Sequence, residues 1–151
     1  YLITENKLIR RLLMSDLELA AEKLENTDYS LVVVNNQEVL AKRKDRGVGG
    51  ILELYDKNPQ ILANSAVADK IIGRAVAMIC ELGGVKSCYT PTISQGAVEI
   101  LQRAEIKYET EKKVAAIRNR EDTGLCPIEQ LTLGLEDSEK AVQKIKEFLH
   151  K

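Results

Sequence analysis

Residues 30–43, which read SLVVVNNQEVLAKR, constrain the fold of this chain more than any other stretch. The first five residues are mostly apolar and β-branched, and the last six alternate between polar and apolar side chains, which are two patterns typical of strands. A turn of Asn, Asn and Gln separates the two runs, and a turn of this kind predicts a β-hairpin. The sheet of this protein is therefore expected to contain an antiparallel pair.

Helical and strand patterns alternate along the rest of the chain. Periodicity predicts helices over residues 5–25 (with a break near Ser15), 51–57, 65–82, 94–105, 127–133 and 138–150, and strands over 85–90 and 106–109. Residues 60–64 are too short to assign, and residues 112–118 fit either a strand or a loop. This order predicts an α/β fold, a three-layer α/β/α sandwich with a mixed sheet and additional N- and C-terminal helices. No repeat or linker divides residues 1–151, so we expect a single domain.

Composition excludes several classes of function. The 151 residues are 44% hydrophobic and 30% charged, with a net charge of −1, so no global basic field attracts nucleic acid. No run of about 20 apolar residues is present to span a membrane. The three cysteines have irregular spacing, which argues against a disulfide framework and predicts a reduced, cytoplasmic protein.

Residues 65–82, SAVADKIIGRAVAMICEL, carry few charges and are predicted to form a mostly buried helix. Asp69 would lie in its first turn, where the helix dipole favours a carboxylate, whereas Lys70 gains nothing from that dipole. Gly73 in a helix interior costs about 1 kcal/mol relative to Ala. Two interpretations stay open, namely structural roles for all three residues or a functional Asp69–Lys70 pair beside a ligand.

Residues 119–130, NREDTGLCPIEQ, admit three interpretations. A zinc site is the weakest, because the single histidine is His150 and no Cys–x–x–Cys is present. A reactive thiol is the second, since Cys126 would cap a helix that starts at Pro127, where the positive helix end favours a thiolate. The third is a plain helix entrance with Glu129 in its first turn, whose free N–H groups are able to hold an anion.

Three stretches together resemble a known family: ADKIIGRA (68–75), TISQGAVEIL (92–101) and NREDTGLCPIEQ (119–130). They resemble an uncharacterised prokaryotic family, a domain of unknown function with a cytidine-deaminase-like fold. The resemblance implies that helix 65–82 corresponds to the deaminase helix bearing His–x–Glu and that Cys126 lies near a metal-binding cysteine. Zinc deaminases need those ligands and a glutamate beside a metal-activated water, but this chain has Ala–Asp–Lys at the first motif and one cysteine at the second. The resemblance therefore implies the fold without zinc deaminase activity.

The sequence supports three hypotheses for function. The first is a small-molecule binding protein, without metal or cofactor, for a nucleotide-like or anionic ligand held between two helix N-termini. The second is a metal-independent enzyme, and the third is an interaction module that pairs through a sheet edge or terminal helices; a homo-oligomer is left open. A buried Lys70 without a carboxylate partner would favour the enzyme, and a Lys70 ion pair with Asp69 or Glu129 would favour the third. The candidate catalytic residues are Asp69, Lys70 and Cys126, and the candidate ligand-binding residues are Gly49, Gly50, Gly73, Ser94, Asn119, Arg120 and Glu129.

Overall fold

The structure is a computed structural model that describes residues 8–9, 13–45 and 47–150. Within these ranges the chain has α/β architecture, with a mixed six-stranded sheet and six helices of six residues or more. The helices are α1 (Asp16–Glu25), α2 (Gly49–Lys57), α3 (Arg74–Gly83), α4 (Gln95–Arg103), α5 (Pro127–Thr132) and α6 (Ser138–Leu149). The strands are β1 (Leu31–Asn35), β2 (Glu38–Arg43), β3 (Ala66–Asp69), β4 (Ile71–Ile72), β5 (Ser87–Ser94) and β6 (Lys107–Val114).

The predicted hairpin opens the sheet. β1 pairs antiparallel with β2 on one side and with β3 on the other. Asn36 and Gln37 form the turn with positive φ angles of 51° and 63°, the conformation that a tight hairpin turn requires. The remaining pairings, β3 and β4 with β5 and β5 with β6, are parallel. The sheet is therefore mixed, as predicted.

Helices cover both faces of the sheet. On one face α1 packs its Leu19 and Leu24 against Val32 and Ala68. The opposite face carries Val33, Val67 and Cys88 and is covered by residues of α2, α3, α4 and α6. Since paired residues of neighbouring strands point to the same face, each strand contributes alternate side chains to these two cores.

The predicted helix over residues 65–82 is wrong in its first half. Residues 66–72 form the central strands β3 and β4, and helix α3 begins only at Arg74, with Gly73 as its N-cap. Asp69 and Lys70 therefore lie on no helix, and Gly73 is not in a helix interior. The physical reason is that all four residues of β3 are buried. A central strand that is buried on both faces reads as a continuous apolar run and is hard to distinguish from a buried helix by periodicity.

The backbone bends at Lys70, between β3 and β4. The pairing of β3 and β4 with β5 keeps one register, and the gap between them falls opposite Pro91, which has no backbone N–H to donate. Side chains bridge the bend: Asp69 Oδ1 accepts from Ile71 N–H, the Thr90 hydroxyl bonds the main chain of Thr92, and the Thr110 hydroxyl donates to the carbonyl of Lys112. Pro91 lies inside β5, so the predicted end of that strand at residue 90 is wrong.

Other boundaries follow the local signals. Ser15 accepts a hydrogen bond from Glu18 N–H and caps α1, which explains the predicted break; residues 5–7 and 10–12 of the predicted first helix lie outside the described ranges. Ser94 caps α4 and Asp137 caps α6. The ambiguous residues 112–118 divide between β6, which ends at Val114, and a loop. In the described part of the chain, every helix is too short or too polar to cross a bilayer.

Candidate functional site

Asp69 is a buried carboxyl group at the carboxyl end of β3. Only 8% of the residue is exposed, and its Oδ1 accepts a hydrogen bond of 3.2 Å from Ile71 N–H. Among the described residues, no lysine or arginine forms an ion pair with it. Burial raises the pKa of Asp69 to about 7, against 3.8 for an ordinary aspartate, because desolvation disfavours the charged form. A perturbed carboxyl at the carboxyl end of a parallel strand is a candidate functional group.

The first turn of α2 lies on the same side of the sheet as Asp69. Leu31 is the register partner of Asp69, so their side chains point to the same face. A Cβ added to Gly50 would lie 3.6 Å from Leu31 Cδ2, which places the start of α2 against Leu31. Its N-cap, Val48, provides no side-chain cap, and the first turn has no acidic residue. Asp69 and the positive end of α2 therefore flank the same leucine.

Lys70 lies at the bend with an exposed side chain, while its backbone N–H donates to the Ser30 carbonyl at 3.1 Å. Neither of the two arrangements that would discriminate between functions is found, because Lys70 is not buried and forms no ion pair with Asp69 or Glu129. The helix-dipole argument for Lys70 does not apply, since the residue precedes α3 by four positions.

Glu129 fills the anion position at the N-terminus of α3. Its side chain is buried, with 3% of the residue exposed. Oε1 accepts from Arg74 N–H at 3.0 Å and Oε2 accepts from Ile117 N–H at 2.6 Å. A carboxylate is the ligand that a helix N-terminus favours. The predicted site for an external anion between α3 and the segment around Cys126 is therefore occupied by the protein's own carboxylate.

Gly73 allows this approach. A Cβ at residue 73 would lie 3.0 Å from Ile117 Cγ1 and 3.3 and 3.4 Å from the two oxygens of Glu129. Gly49, by contrast, has no atom within 4 Å of such a Cβ. Gly73 is thus required for close packing, whereas Gly49 at the exposed start of α2 is not.

This contrast gives a matched pair of substitutions. We expect Gly73→Ala to lower the free energy of unfolding by about 1–3 kcal/mol, because Glu129 is fixed by two hydrogen bonds and cannot retreat. Gly49→Ala is expected to raise it by up to about 1 kcal/mol, since Ala favours the helix and meets nothing. Urea denaturation of both variants measures the difference. Equal effects would show that the α3 N-terminus is not packed as described.

Three of the predicted ligand-binding residues, Ser94, Asn119 and Arg120, have other local roles or none. The Ser94 hydroxyl is buried and accepts from Ala97 N–H, which makes it a helix cap. Asn119 closes its own loop through the N–H and hydroxyl of Thr123. Arg120 is exposed. The structure thus brings Gly73 and Glu129 together with Ile117, and places Gly50 against Leu31, the register partner of Asp69. Asn119 and Arg120 lie on the same loop as Ile117, but no described hydrogen bond or ion pair joins them, or Ser94, to Glu129 or Asp69.

No metal centre is found among residues 8–9, 13–45 and 47–150, where three or more His, Cys, Asp or Glu side chains never converge in a way that would hold an ion. The absence of stoichiometric zinc stays a prediction, and metal analysis of protein purified without a tag is the measurement that tests it.

Comparison with known proteins identifies the family. A model of a family described as TM1506, a domain of unknown function (DUF1893), matches residues 19–149. The chain belongs to the DUF1893 family. The crystal structure of a DUF1893 family protein (TM1506) from Thermotoga maritima is similar, with a TM-score of 0.81 and 23% sequence identity over 90% of this chain and 92% of that one. At this identity the likeness establishes the fold alone. No curated protein matches the chain.

The predicted membership of an uncharacterised family is thereby confirmed, and DUF1893 itself names no reaction. Sequence inspection missed Arg74, whose Nε donates to the carbonyl of Thr132 and whose Nη2 donates to that of Leu135. Together with Glu129 it fastens α5 and the following segment to α3. Gly96 leaves room for the Arg74 side chain, because a Cβ at residue 96 would lie 2.8 Å from Arg74 Cγ. The two residues are far apart in the sequence, and no local pattern connects them.

Cys126 is the half-buried N-cap of α5, and its side chain makes no capping bond. Cys80 and Cys88 are fully buried, with their sulfurs 3.8 Å apart, and the neighbouring Cys88 and burial raise the pKa of Cys80 well above its usual value. We expect brief iodoacetamide treatment to label Cys126 first, because buried protonated thiols react slowly. Peptide mapping by mass spectrometry measures the order. Faster labelling of Cys80 or Cys88 would contradict the burial described.

Proposed function

We propose that this protein binds a small molecule, of nucleotide-like or anionic character, at the end of β3, beside Leu31 and the start of α2. The buried Asp69 carboxyl, without a cationic partner among the described residues, carries the proposal. A carboxyl kept in such a place lowers stability at neutral pH, and groups whose pKa values are strongly shifted by desolvation cluster at functional sites.

The chemistry on either side of Leu31 indicates the ligand. Asp69 accepts hydrogen bonds from amino or hydroxyl groups when ionised and donates one when protonated. The uncapped start of α2, with Gly49 and Gly50, offers backbone N–H groups to a negative group. A molecule with a polar ring or amine at one end and an anion at the other, as in a nucleotide, matches both.

The similarity of the fold to cytidine deaminases is also a proposal. We infer a cytidine-deaminase-like fold without its zinc chemistry, and the opening hairpin and the mixed sheet between helices support it. All three cysteines are free in the structure, which supports the predicted reducing, cytoplasmic location.

Calorimetric titration with nucleoside monophosphates tests the site. We expect Asp69→Asn to weaken the binding of a nucleoside monophosphate roughly tenfold or more, the loss typical of a hydrogen bond to a charged group. Glu99→Gln, which changes an exposed carboxylate on α4, should bind like the unmodified protein. Binding that is absent from the unmodified protein, or unchanged in Asp69→Asn, would contradict the proposed site.

The alternatives have less support. The enzyme hypothesis needs Lys70 or Cys126 as nucleophile with Asp69 or Glu129 as acid or base. Lys70 is exposed, and among the described residues no ion pair joins it to either carboxylate. Edge pairing at β2 is disfavoured because Leu40 forms a bulge, with Val33 paired to Ala41 and Val34 to Val39, and bulges protect sheet edges.

A further inference from the structure

A cavity lies at the opposite end of β3 from Asp69. It has a volume of about 740 Å³ and opens where β3, β5 and β6 begin, beside the first residues of α1. Its lining comes from residues 15–17, 64–66, 86–87 and 106–109. This volume lies within the range of ordinary ligand pockets. Ligands of parallel sheets usually bind at the carboxyl edge, so this cavity is distinct from the site proposed above.

The charged side chains that line this cavity, called the cleft from here on, differ in whether they have partners within the protein. Lys86 and Lys107 line it, are exposed, and form no ion pair with a carboxylate in the described part of the chain. Asp16 has both oxygens engaged, since they accept from Asn36 N–H at 3.0 Å and Gln37 N–H at 2.7 Å. Glu109 is the remaining carboxylate in the lining. The cleft thus offers two ammonium groups to an anion and one carboxylate to a hydrogen-bond donor.

Apolar groups complete the lining. Leu17, Ala66 and Ile106 contribute carbon surface between these charges, and the Ser87 hydroxyl lies at the start of β5. Both lysines follow the ends of α3 and α4, where a cation also complements the helix dipole. Stabilising a helix end does not require the two lysines to line the same cavity. Their shared position in the lining therefore indicates a ligand.

We propose that this cleft binds a small organic anion, a carboxylate or a phosphate ester, that also carries hydroxyl or amino groups. Lys86 and Lys107 hold the anionic group, and Glu109 accepts from the hydroxyl or amino groups. A neutral molecule of the same shape lacks the interaction with the two lysines.

Three probes on one carbon skeleton test the proposal: glucose 6-phosphate, gluconate and glucose. We expect saturable shifts of the amide resonances of residues 64–66, 86–87 and 106–109 with glucose 6-phosphate, with gluconate, or with both, and none with glucose. The two anions separate a phosphate site from a carboxylate site. Saturation by glucose, or by none of the three at about 10 mM, a concentration that detects even millimolar affinity, would overturn the proposal.

Two double variants test the role of Lys86 and Lys107. Lys86→Ala combined with Lys107→Ala is expected to weaken binding of the active probe at least roughly tenfold. Lys42→Ala combined with Lys44→Ala removes two lysines that lie over Tyr29, outside the cleft, and should leave binding unchanged. Asp69→Asn should also leave it unchanged, which separates this site from the proposed function. Equal binding by the two double variants would overturn the role of Lys86 and Lys107.

Discussion

The effect of Asp69→Asn on the free energy of unfolding is expected to be more favourable at pH 8 than at pH 5. The folded-state pKa of Asp69 is about 7, above the ordinary 3.8, so the native state binds the proton more tightly than the unfolded chain does. The resulting penalty on folding is absent below about pH 4, grows as the pH rises through this window and is complete above pH 7. Asn carries no charge and escapes this penalty.

The magnitude follows from the shift. The penalty at pH 8 exceeds that at pH 5 by about 2–3 kcal/mol, so the free energy of unfolding of Asp69→Asn relative to the unmodified protein should rise by that amount between the two pH values. An unsatisfied amide N–H group costs about 1–3 kcal/mol at either pH, which lowers both values equally and leaves the difference intact. Urea denaturation at pH 5 and pH 8 measures it.

Asp28→Asn is the control for sign. Asp28 is exposed, and its hydrogen bond to Lys44 lowers its pKa. A lowered pKa contributes stability above the unfolded pKa and loses it as the pH falls, so this variant should show no gain with rising pH. If Asp69→Asn behaved like Asp28→Asn, Asp69 would not be the buried, uncompensated carboxyl that the proposed function requires.

Glu129→Gln, chemically the same change, is expected to destabilise the protein by about 2–4 kcal/mol. Both oxygens of Glu129 accept backbone N–H groups, from Arg74 and Ile117. An amide retains one acceptor and turns an NH₂ group towards the other donor, which leaves a buried N–H without a partner. The helix also loses the negative charge at its N-terminus.

Thermal and urea unfolding of Glu129→Gln measure this loss, with Glu121→Gln as the control, because Glu121 is exposed in the loop before α5. The control should change the free energy of unfolding by less than about 0.5 kcal/mol. A neutral Glu129→Gln would mean that α5 does not close the N-terminus of α3, and that site would again be open to an external anion. Opposite signs for the two buried carboxylates would distinguish a group held for function from one held for structure.

Local chemistry was enough to predict a large part of the fold. The hairpin was predictable because two strand-like runs flank a short polar segment rich in Asn, which tolerates the positive φ that Asn36 adopts in the turn. Ser94 and Asp137 were recognisable as helix starts because capping depends on residues three positions away, and near Ser15 the sequence predicted only a break in a longer helix. Each of these signals involves neighbours in the sequence, and neighbours are visible without a structure.

The candidate site needed the tertiary structure. β3 and β4 are strand and not helix because they pair with β1 and β5, and β3, which is buried on both faces, has no exposed polar side to reveal its period. Glu129 reaches the N-terminus of α3 across 55 positions of sequence, a contact that no local pattern encodes. The sequence by itself determined the class of fold, the hairpin and the helix caps. Only the packing of the chain decided that Glu129 closes one helix end while Asp69 is left buried without a cationic partner in the described residues, because desolvation and charge pairing depend on which distant groups the fold brings together.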